Sequence, residues 1–348
     1  MAKMKLLSLF LSLLLSAPVS VISTSVTQTP PAQFTRLIAL DGGSFDPVGL
    51  GSRAFFVFGS LSNPGVNVTT TSLQPSTPGS VDYSAFLFSP SMAVDREEKK
   101  VYVQLSYYQD GDRNGIFSFS YDGKNKTKIL DWTSNFYGGI SVARWKGKKS
   151  IFYVDGYKNI ARANLDGSEI ETLVIIEEGD LNQIAIDESM GFIYWSTLYP
   201  SGIMRAPLEK KRNESISNRT DIETLSVNAS TPNSLRFDNG NLYWTNDVWY
   251  GDGDSKNEYF KSRIWEWKAN YSNSGSRDIE QEKKIRFEVE CLRKWGSWRS
   301  IAFDHDRRKV WAIQSFGAYI YSLDMNGGNA TRYDLTQSVH DIRAIELI

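Results

Sequence analysis

The segment Asp110-Gly-Asp112-Arg-Asn114-Gly115 has a composition suited to metal chemistry. Acidic and amide side chains at alternate positions before a glycine let a short loop direct several oxygens at one Ca²⁺. The bidentate glutamate that completes such loops is missing, because the twelfth position is Tyr121. The segment therefore predicts a calcium site at Asp110, Asp112 and Asn114, and its simpler interpretation is a solvated Asp/Gly loop.

Histidine- and cysteine-based chemistry has few candidates in this chain. The only histidines are His305 and His340, and the only cysteine is Cys291. The sequence contains no Gly-x-Ser-x-Gly elbow, no His-Glu-x-x-His helix and no phosphate-binding loop. Cys291 cannot form an internal bridge, so it predicts either a buried small side chain or an intermolecular disulfide. These residues favour a protein without catalysis and without a required cofactor.

An internal repeat organises the chain around these residues. Four apolar segments end in an aspartate, at Asp95, Asp187, Asp238 and Asp304, and an aromatic-rich strand follows each one. A third strand and, in several copies, an Asp-Gly turn come next, for which we predict a type I′ hairpin. Each aspartate can accept backbone N–H bonds at its strand end, so we expect a structural role for it. Four strands per repeat predict the blade of an all-β propeller.

The number of blades follows from the first strands, which start near residues 92, 140, 183, 234, 300 and 342. The segment Ile342–Ile348 has the pattern of a first strand, so we expect its partners around Phe34–Leu40 and Arg53–Phe58. Sharing one blade in this way closes the ring and removes a sheet edge. Residues 34–348 are therefore predicted to form a six-bladed β-propeller of four-stranded antiparallel blades, closed by the C-terminal strand pairing with N-terminal strands.

These repeats resemble the low-density lipoprotein receptor class B, or YWTD, propellers. The residues that carry the resemblance are Gly191-Phe-Ile-Tyr-Trp-Ser-Thr197 and Asn241-Leu-Tyr-Trp-Thr-Asn246, with Val310-Trp-Ala in support. No copy reads Tyr-Trp-Thr-Asp, and the fourth position keeps an acid only at Asp155. Family members are mostly extracellular binding modules, so the resemblance implies that function. The missing acids imply that neighbouring blades are fixed to each other differently here.

Two asparagines, Asn182 and Asn233, precede matching first strands, where a propeller approaches its central channel. Lactonase-like six-bladed hydrolases place such side chains around a divalent ion, so a metal-dependent hydrolase is the alternative function. The asparagines can instead bond to backbone at the start of each strand. The sequence is compatible with both functions and favours the binding module over the enzyme.

Aromatic residues recur in the connections predicted between second and third strands. These connections share one rim of a propeller, so the side chains form either one interaction patch or separate supports beneath their own loops. The predicted binding rim consists of Tyr107, Tyr108, Tyr199, Trp249, Tyr250 and Phe316.

Residues 1–23 have the features of a secretory signal peptide. Two lysines precede the apolar run Leu6–Leu15, and Val21 and Ser23 stand as a −3/−1 cleavage pair. The run is too short to span a membrane, and residues 24–33 form a short polar lead. Loss of the two lysines lowers Lys plus Arg from 39 to 37 against 40 acids, a net charge of −3. Nucleic acid is therefore not an expected partner.

Asn-x-Ser/Thr sequons are frequent after the predicted signal peptide. Each one predicts an exposed position that carries a glycan if the chain enters the secretory pathway. They are Asn67, Asn125, Asn213, Asn218, Asn228, Asn270 and Asn329. Together with the signal peptide they predict a secreted, extracellular glycoprotein whose partner is a protein or a glycan.

Overall fold

The computed structural model describes residues 36–41, 55–61, 69–72, 91–105, 114–131, 138–227, 232–250, 259–269, 279–291, 298–314, 319–335 and 342–348. All of them belong to the compact unit Phe34–Ile348. Within these residues the regular secondary structure is strand, apart from the short helix Ile279–Glu282 and the 3-10 turn Ile216–Asn218. The helix and the strand after it occupy the charged stretch near residue 280, where the sequence lacks a convincing amphipathic pattern.

The strands form six four-stranded antiparallel sheets, the blades, here given from first to fourth strand. Blade 1 contains β24 (Ile342–Leu347), β1 (Arg36–Asp41), β2 (Phe55–Ser60) and β3 (Thr69–Ser72). Blade 2 contains β4 (Ser91–Asp95), β5 (Lys100–Leu105), β6 (Gly115–Ser120) and β7 (Thr127–Asp131). Blade 3 contains β8 (Ile140–Trp145), β9 (Lys148–Asp155), β10 (Asn159–Asn164) and β11 (Glu171–Ile175).

Blade 4 contains β12 (Asp180–Asp187), β13 (Phe192–Leu198), β14 (Gly202–Pro207) and β15 (Glu223–Val227). Blade 5 contains β16 (Ser234–Asp238), β17 (Asn241–Tyr250), β18 (Tyr259–Lys268) and β19 (Lys284–Cys291). Blade 6 contains β20 (Trp298–Asp304), β21 (Lys309–Gln314), β22 (Tyr319–Asp324) and β23 (Ala330–Asp334). The predicted blade count and the predicted first strands are confirmed.

The ring closes through blade 1, as the sequence predicts. Strand β24 pairs antiparallel with β1, with Leu37 opposite Leu347, and Arg36 and Ile348 exchange two backbone hydrogen bonds of 3.0 Å. Each first strand also contacts the first strands of both neighbouring blades, from β24 through β4, β8, β12 and β16 to β20 and back. The first strands therefore surround the central axis.

The core consists of six apolar clusters, each between two neighbouring blades. Large rings from the second strands fill these wedges, because the gap between flat sheets widens away from the axis. The fully buried ones include Tyr102, Tyr194, Trp195 and Trp244. These rings therefore form the centre of the core.

The order of strands defines two faces of the propeller. Connections between second and third strands, and between blades, form what we call the upper rim. Connections between first and second strands, and between third and fourth strands, form the lower face. First strands therefore begin at the upper rim and end at the lower face.

The Asp-Gly turns between third and fourth strands differ from the type I′ turns expected. At Tyr121-Asp122-Gly123 only the glycine has a positive φ, of 77°, and the Ser120 N–H donates to the Lys124 carbonyl at 2.9 Å. This is the three-residue hairpin that ends in a glycine bulge. The Asp122 carboxylate accepts the Lys124 N–H at 3.1 Å, which stabilises this turn and leaves the aspartate outside the left-handed region.

Candidate functional site

The repeated aspartates lie where first strands end on the lower face. Asp95 Oδ1 accepts the N–H groups of Glu97 at 3.0 Å and Glu98 at 3.2 Å. Asp187 Oδ1 likewise accepts the N–H groups two and three positions later in the chain, at 2.9 and 3.2 Å. Asp304 is also fully buried and accepts the Arg307 N–H at 3.1 Å. The expected structural role is confirmed for these three, because buried carboxylates are stable only when hydrogen-bonded.

The two asparagines assigned to the channel both bond across the start of their strands. The Asn182 amide is 6% exposed and donates to the Pro232 carbonyl at 2.6 Å, which joins blade 4 to the start of blade 5. The Asn233 amide donates to Asp247 Oδ2 at 3.2 Å. Asp247 Oδ1 accepts the Ser262 hydroxyl at 2.6 Å, so this network holds the upper half of blade 5.

The predicted binding rim falls only partly within the described residues. Tyr199 lies between β13 and β14 on the upper rim and is 83% exposed. The sequence predicted a loop at Trp249 and Tyr250, but both residues belong to the end of the long strand β17. Their backbones pair with Phe260 and Tyr259 of β18, so aromatic residues occupy four facing positions there. The aromatic and β-branched residues of this extension favour strand over loop.

Three further rim residues, Tyr107, Tyr108 and Phe316, lie outside the described residues. So do Asp110 and Asp112 of the predicted calcium loop. Asn114 is described and is buried directly before β6. Across the part of the chain that the structure describes, no group of three or more His, Cys, Asp or Glu side chains is placed to hold a metal ion.

The sequon asparagines that the structure describes are all exposed: Asn125, Asn213, Asn218 and Asn329. The other three, Asn67, Asn228 and Asn270, lie outside the described residues. Cys291 ends β19, and its side chain lies outside the described part of the structure. Among the described segments, no helix has the length and apolar character that a membrane crossing requires.

A central cavity of about 550 Å³ opens at the lower face. All six first strands line it, through Ala93, Val142, Ile186, Phe237, Ile301 and Glu346. Arg236 of β16 forms an ion pair with Glu346 of the closing strand β24. This ion pair connects blade 5 directly with blade 1, although blade 6 lies between them in the ring. No local pattern predicts this pair, because the two residues meet only when the ring is closed.

Two pairs of neighbouring blades are joined by polar contacts at the third position of the Tyr-Trp-Thr-Asp-like strands. The Thr245 hydroxyl donates to the Trp298 carbonyl of blade 6 at 3.0 Å, and the Gln104 amide donates to the Val154 carbonyl of blade 3 at 2.9 Å. The fourth-position residue Asn246 instead accepts the Trp265 indole N–H within its own blade at 2.7 Å. At these two junctions the residue before the fourth position therefore fixes the neighbouring blade, in place of the missing acid.

A buried ion pair also joins blades 2 and 3 at the lower face. Lys149 Nζ lies 2.7 Å from Asp95 Oδ1 and 2.9 Å from Glu97 Oε2. Burial disfavours the charged form of Lys149, but hydrogen bonds to Asp95 and Glu97 outweigh it and raise the pKa of the amine. Asp95 therefore fixes its own turn and the neighbouring blade together.

Comparison with known proteins supports the propeller assignment. No protein-family model matches the chain. A stretch of 124 residues is 33% identical to low-density lipoprotein receptor-related protein 1 of Pyricularia oryzae (strain 70-15), covering 30% of this chain and 38% of that protein. The chain thus spans less than two fifths of the length of this curated relative.

Two solved structures share the fold over nearly the whole chain. The nidogen/laminin complex contains a chain that aligns with a TM-score of 0.55 at 14% identity, over 90% of this chain and 97% of that one. A protein of unknown function from Bacteroides caccae aligns with a TM-score of 0.50 at 13% identity, over 91% and 99%. The chain is a six-bladed β-propeller. Its repeat residues and the local sequence match make it similar to the low-density lipoprotein receptor class B propellers.

Proposed function

We propose that this chain is an extracellular module that binds a protein or a glycan on its upper rim, without catalysis. The observation that carries the proposal is Tyr199, a large aromatic side chain that is 83% exposed on that rim. Tyrosine and tryptophan are frequent anchors of interfaces, because they bury much area at low cost in conformational entropy. The facing aromatic positions at the end of the β17–β18 hairpin add to the same rim.

The rim is tested by capture from extracellular fluid and on a glycan array, with the immobilised propeller as bait. We expect Tyr199→Ala, and separately the double variant Trp249→Ala/Tyr250→Ala, to weaken capture at least about tenfold, the loss typical of an interface anchor. Met190→Ala is the matched control, because Met190 is 47% exposed on the lower face. Undiminished capture by both rim variants, with unchanged melting, would refute the rim as the binding surface.

Secretion and glycosylation are part of the same proposal. The predicted signal peptide and the exposed sequons Asn125, Asn213, Asn218 and Asn329 support them. Expression in cells with an N-glycosylation pathway should release a protein that begins at Thr24 and loses mass on peptide N-glycosidase treatment. A protein retained in the cytosol with its first residues intact would contradict the proposal.

The metal-dependent hydrolase is the competing function, and a calcium site near Asn114 is a separate prediction. The amides of Asn182 and Asn233 donate to Pro232 and Asp247, so a metal at these asparagines would have to use their remaining oxygens. Elemental analysis of the purified protein distinguishes the hydrolase from the binding module. A stoichiometric divalent ion that is lost in the Asn182→Ala and Asn233→Ala variants would favour the hydrolase. Calcium bound instead at the Asp110 loop would raise the melting temperature, and Asp110→Asn/Asp112→Asn would abolish that shift.

A further inference from the structure

A second cavity lies on the lower face, at the junction of blades 3 and 4. It encloses about 510 Å³, within the range of about 300–1,000 Å³ that is typical of small-molecule sites. Blade 3 supplies most of its wall, from the β8–β9 turn, β10 and the start of β11, and Glu209 of blade 4 completes it. The cavity is on the opposite face from the upper rim, so it is a separate site.

The charges that line this cavity balance each other. Three basic and three acidic side chains form three ion pairs, namely Lys146 with Glu209, Lys148 with Glu169 and Arg162 with Glu171. An anionic ligand would meet three carboxylates and a cationic ligand three basic groups, so neither gains a net attraction. A purely apolar ligand would strip water from the ion pairs without replacing their hydrogen bonds. The lining therefore suits a neutral ligand with many hydrogen-bonding groups.

Two of the carboxylates remain strong hydrogen-bond acceptors over a wide pH range. The hydrogen bond from Lys146 lowers the pKa of Glu209, and that from Lys148 lowers the pKa of Glu169. Both groups therefore stay ionised at neutral and mildly acidic pH. Hydrogen bonds to ionised acceptors are stronger than those between neutral groups.

Trp145 provides a half-buried aromatic wall beside these groups. Its indole N–H donates to Glu209 Oε1 at 3.3 Å. The other side of the ring rests against Gly191, where an added Cβ would lie only 2.2 Å from the ring. These two contacts hold the ring in one orientation. Ile170, which is 60% exposed, lines the same cavity. An ordered aromatic ring flanked by charged donors and acceptors matches a sugar ring, which has an apolar C–H face and hydroxyls that both donate and accept.

We propose that this cavity binds a neutral hexopyranose, as a free sugar or as the end of a glycan. The C–H face of the sugar packs on Trp145, its hydroxyls donate to Glu209, and Lys146 donates to a hydroxyl oxygen. This site goes beyond the rim function, because a sugar held here leaves Tyr199 and its neighbours uncovered.

Saturation-transfer NMR and calorimetry on the full propeller test the site. The probes are the methyl glycosides of glucose, galactose and mannose, with methyl glucuronide and spermidine as charged comparisons. We expect transfer to at least one neutral glycoside, and a rise of about tenfold or more in its Kd for both Glu209→Gln and Trp145→Leu. A glycoprotein that ends in the same hexose and binds as tightly would identify the glycan end as the ligand; binding of the glycoside alone would identify the free sugar.

Two controls keep this test separate from the rim. Glu98→Gln makes the same chemical change at an exposed position on the lower face of blade 2, and Tyr199→Ala removes the rim aromatic. Both should bind the glycoside as the parent protein does. Absence of transfer to every neutral glycoside, preference for a charged probe, or unchanged affinity in Glu209→Gln would overturn the proposal. Should Trp145→Leu fail to fold, Glu209→Gln decides alone, because it preserves the size and shape of the side chain.

Discussion

Closure of the ring by the last strand predicts a coupling between the two ends of the propeller. Leu37 of β1 and Leu347 of β24 are fully buried, face each other in register and belong to the same apolar cluster. Truncating a buried leucine to alanine costs about 2–5 kcal/mol, and directly contacting residues interact by about 0.5–3 kcal/mol. We therefore expect each of Leu37→Ala and Leu347→Ala to lower the free energy of unfolding by about 2–5 kcal/mol.

The double variant should lose less than the sum of the two single losses. Once one side chain is gone, the other has already lost part of its contact, so the deviation measures the closure directly. Urea unfolding followed by tryptophan fluorescence supplies the three free energies by linear extrapolation. Losses of this size are a large part of a total free energy of unfolding of about 5–15 kcal/mol. If an alanine variant does not fold, the same cycle can be measured with Leu→Val at the two positions.

Leu208→Ala is the matched control for this cycle. Leu208 is equally buried but belongs to the cluster between blades 3 and 4, so its effect should add to that of Leu37→Ala within about 0.5 kcal/mol. Thr331→Ala, at an exposed position of the outermost strand β23, should change stability by no more than about 0.5 kcal/mol. Strict additivity of the Leu37 and Leu347 variants, or full stability after deletion of residues 342–348, would refute the closure.

Three further predictions follow from individual contacts. Thr245→Val should lower the free energy of unfolding by about 1–3 kcal/mol in urea titration, because the Trp298 carbonyl loses its buried donor while the shape is kept; a neutral effect would show that the contact does not fix the blades. Gly191→Ala should lower the melting temperature by several degrees in calorimetry, because φ is 70° there and the new Cβ meets Trp145; equal stability would contradict that packing. Burial raises the pKa of Tyr102 and Tyr153 to about 12, so these tyrosines ionise at lower pH in the unfolded chain than in the folded one. The free energy of unfolding should therefore fall from about pH 10 to about pH 12. A urea midpoint that stays constant across this range, while absorbance at about 295 nm shows tyrosinate, would refute this prediction.

Much of the blade architecture could be predicted from local sequence. The apolar segments that end in Asp95, Asp187 and Asp304 mark first strands, because strand alternation and the aspartate turn are properties of a few consecutive residues. The aromatic strands after them fill the wedges between blades. The predicted type I′ turn was wrong at Asp122, because two turn types compete there. The Asp122 side chain accepts a backbone N–H and so favours the bulged turn. The prediction of a loop was also wrong at Trp249 and Tyr250, where the hairpin extends into this segment.

The candidate sites were less predictable, because they depend on contacts between blades. Asn182 could have been a metal ligand or a backbone donor, and only the position of Pro232 shows that it donates across to blade 5. Trp145 and Glu209 share no sequence motif. The cavity between blades 3 and 4 forms because packing of the two blades brings the Trp145 indole nitrogen within 3.3 Å of Glu209 Oε1.

The sequence by itself determined the repeat and the six first strands, because each rests on short-range alternation of apolar and polar residues. The count of repeats then assigned N-terminal strands as the partners of Ile342–Ile348. Tertiary structure alone decided which polar groups meet across blades: Thr245 with Trp298, Arg236 with Glu346, and the ion pairs around Trp145. The physical reason is distance along the chain. Such partners stand in different repeats, and only the closed ring, held by burial of the wedge-filling rings, brings them together.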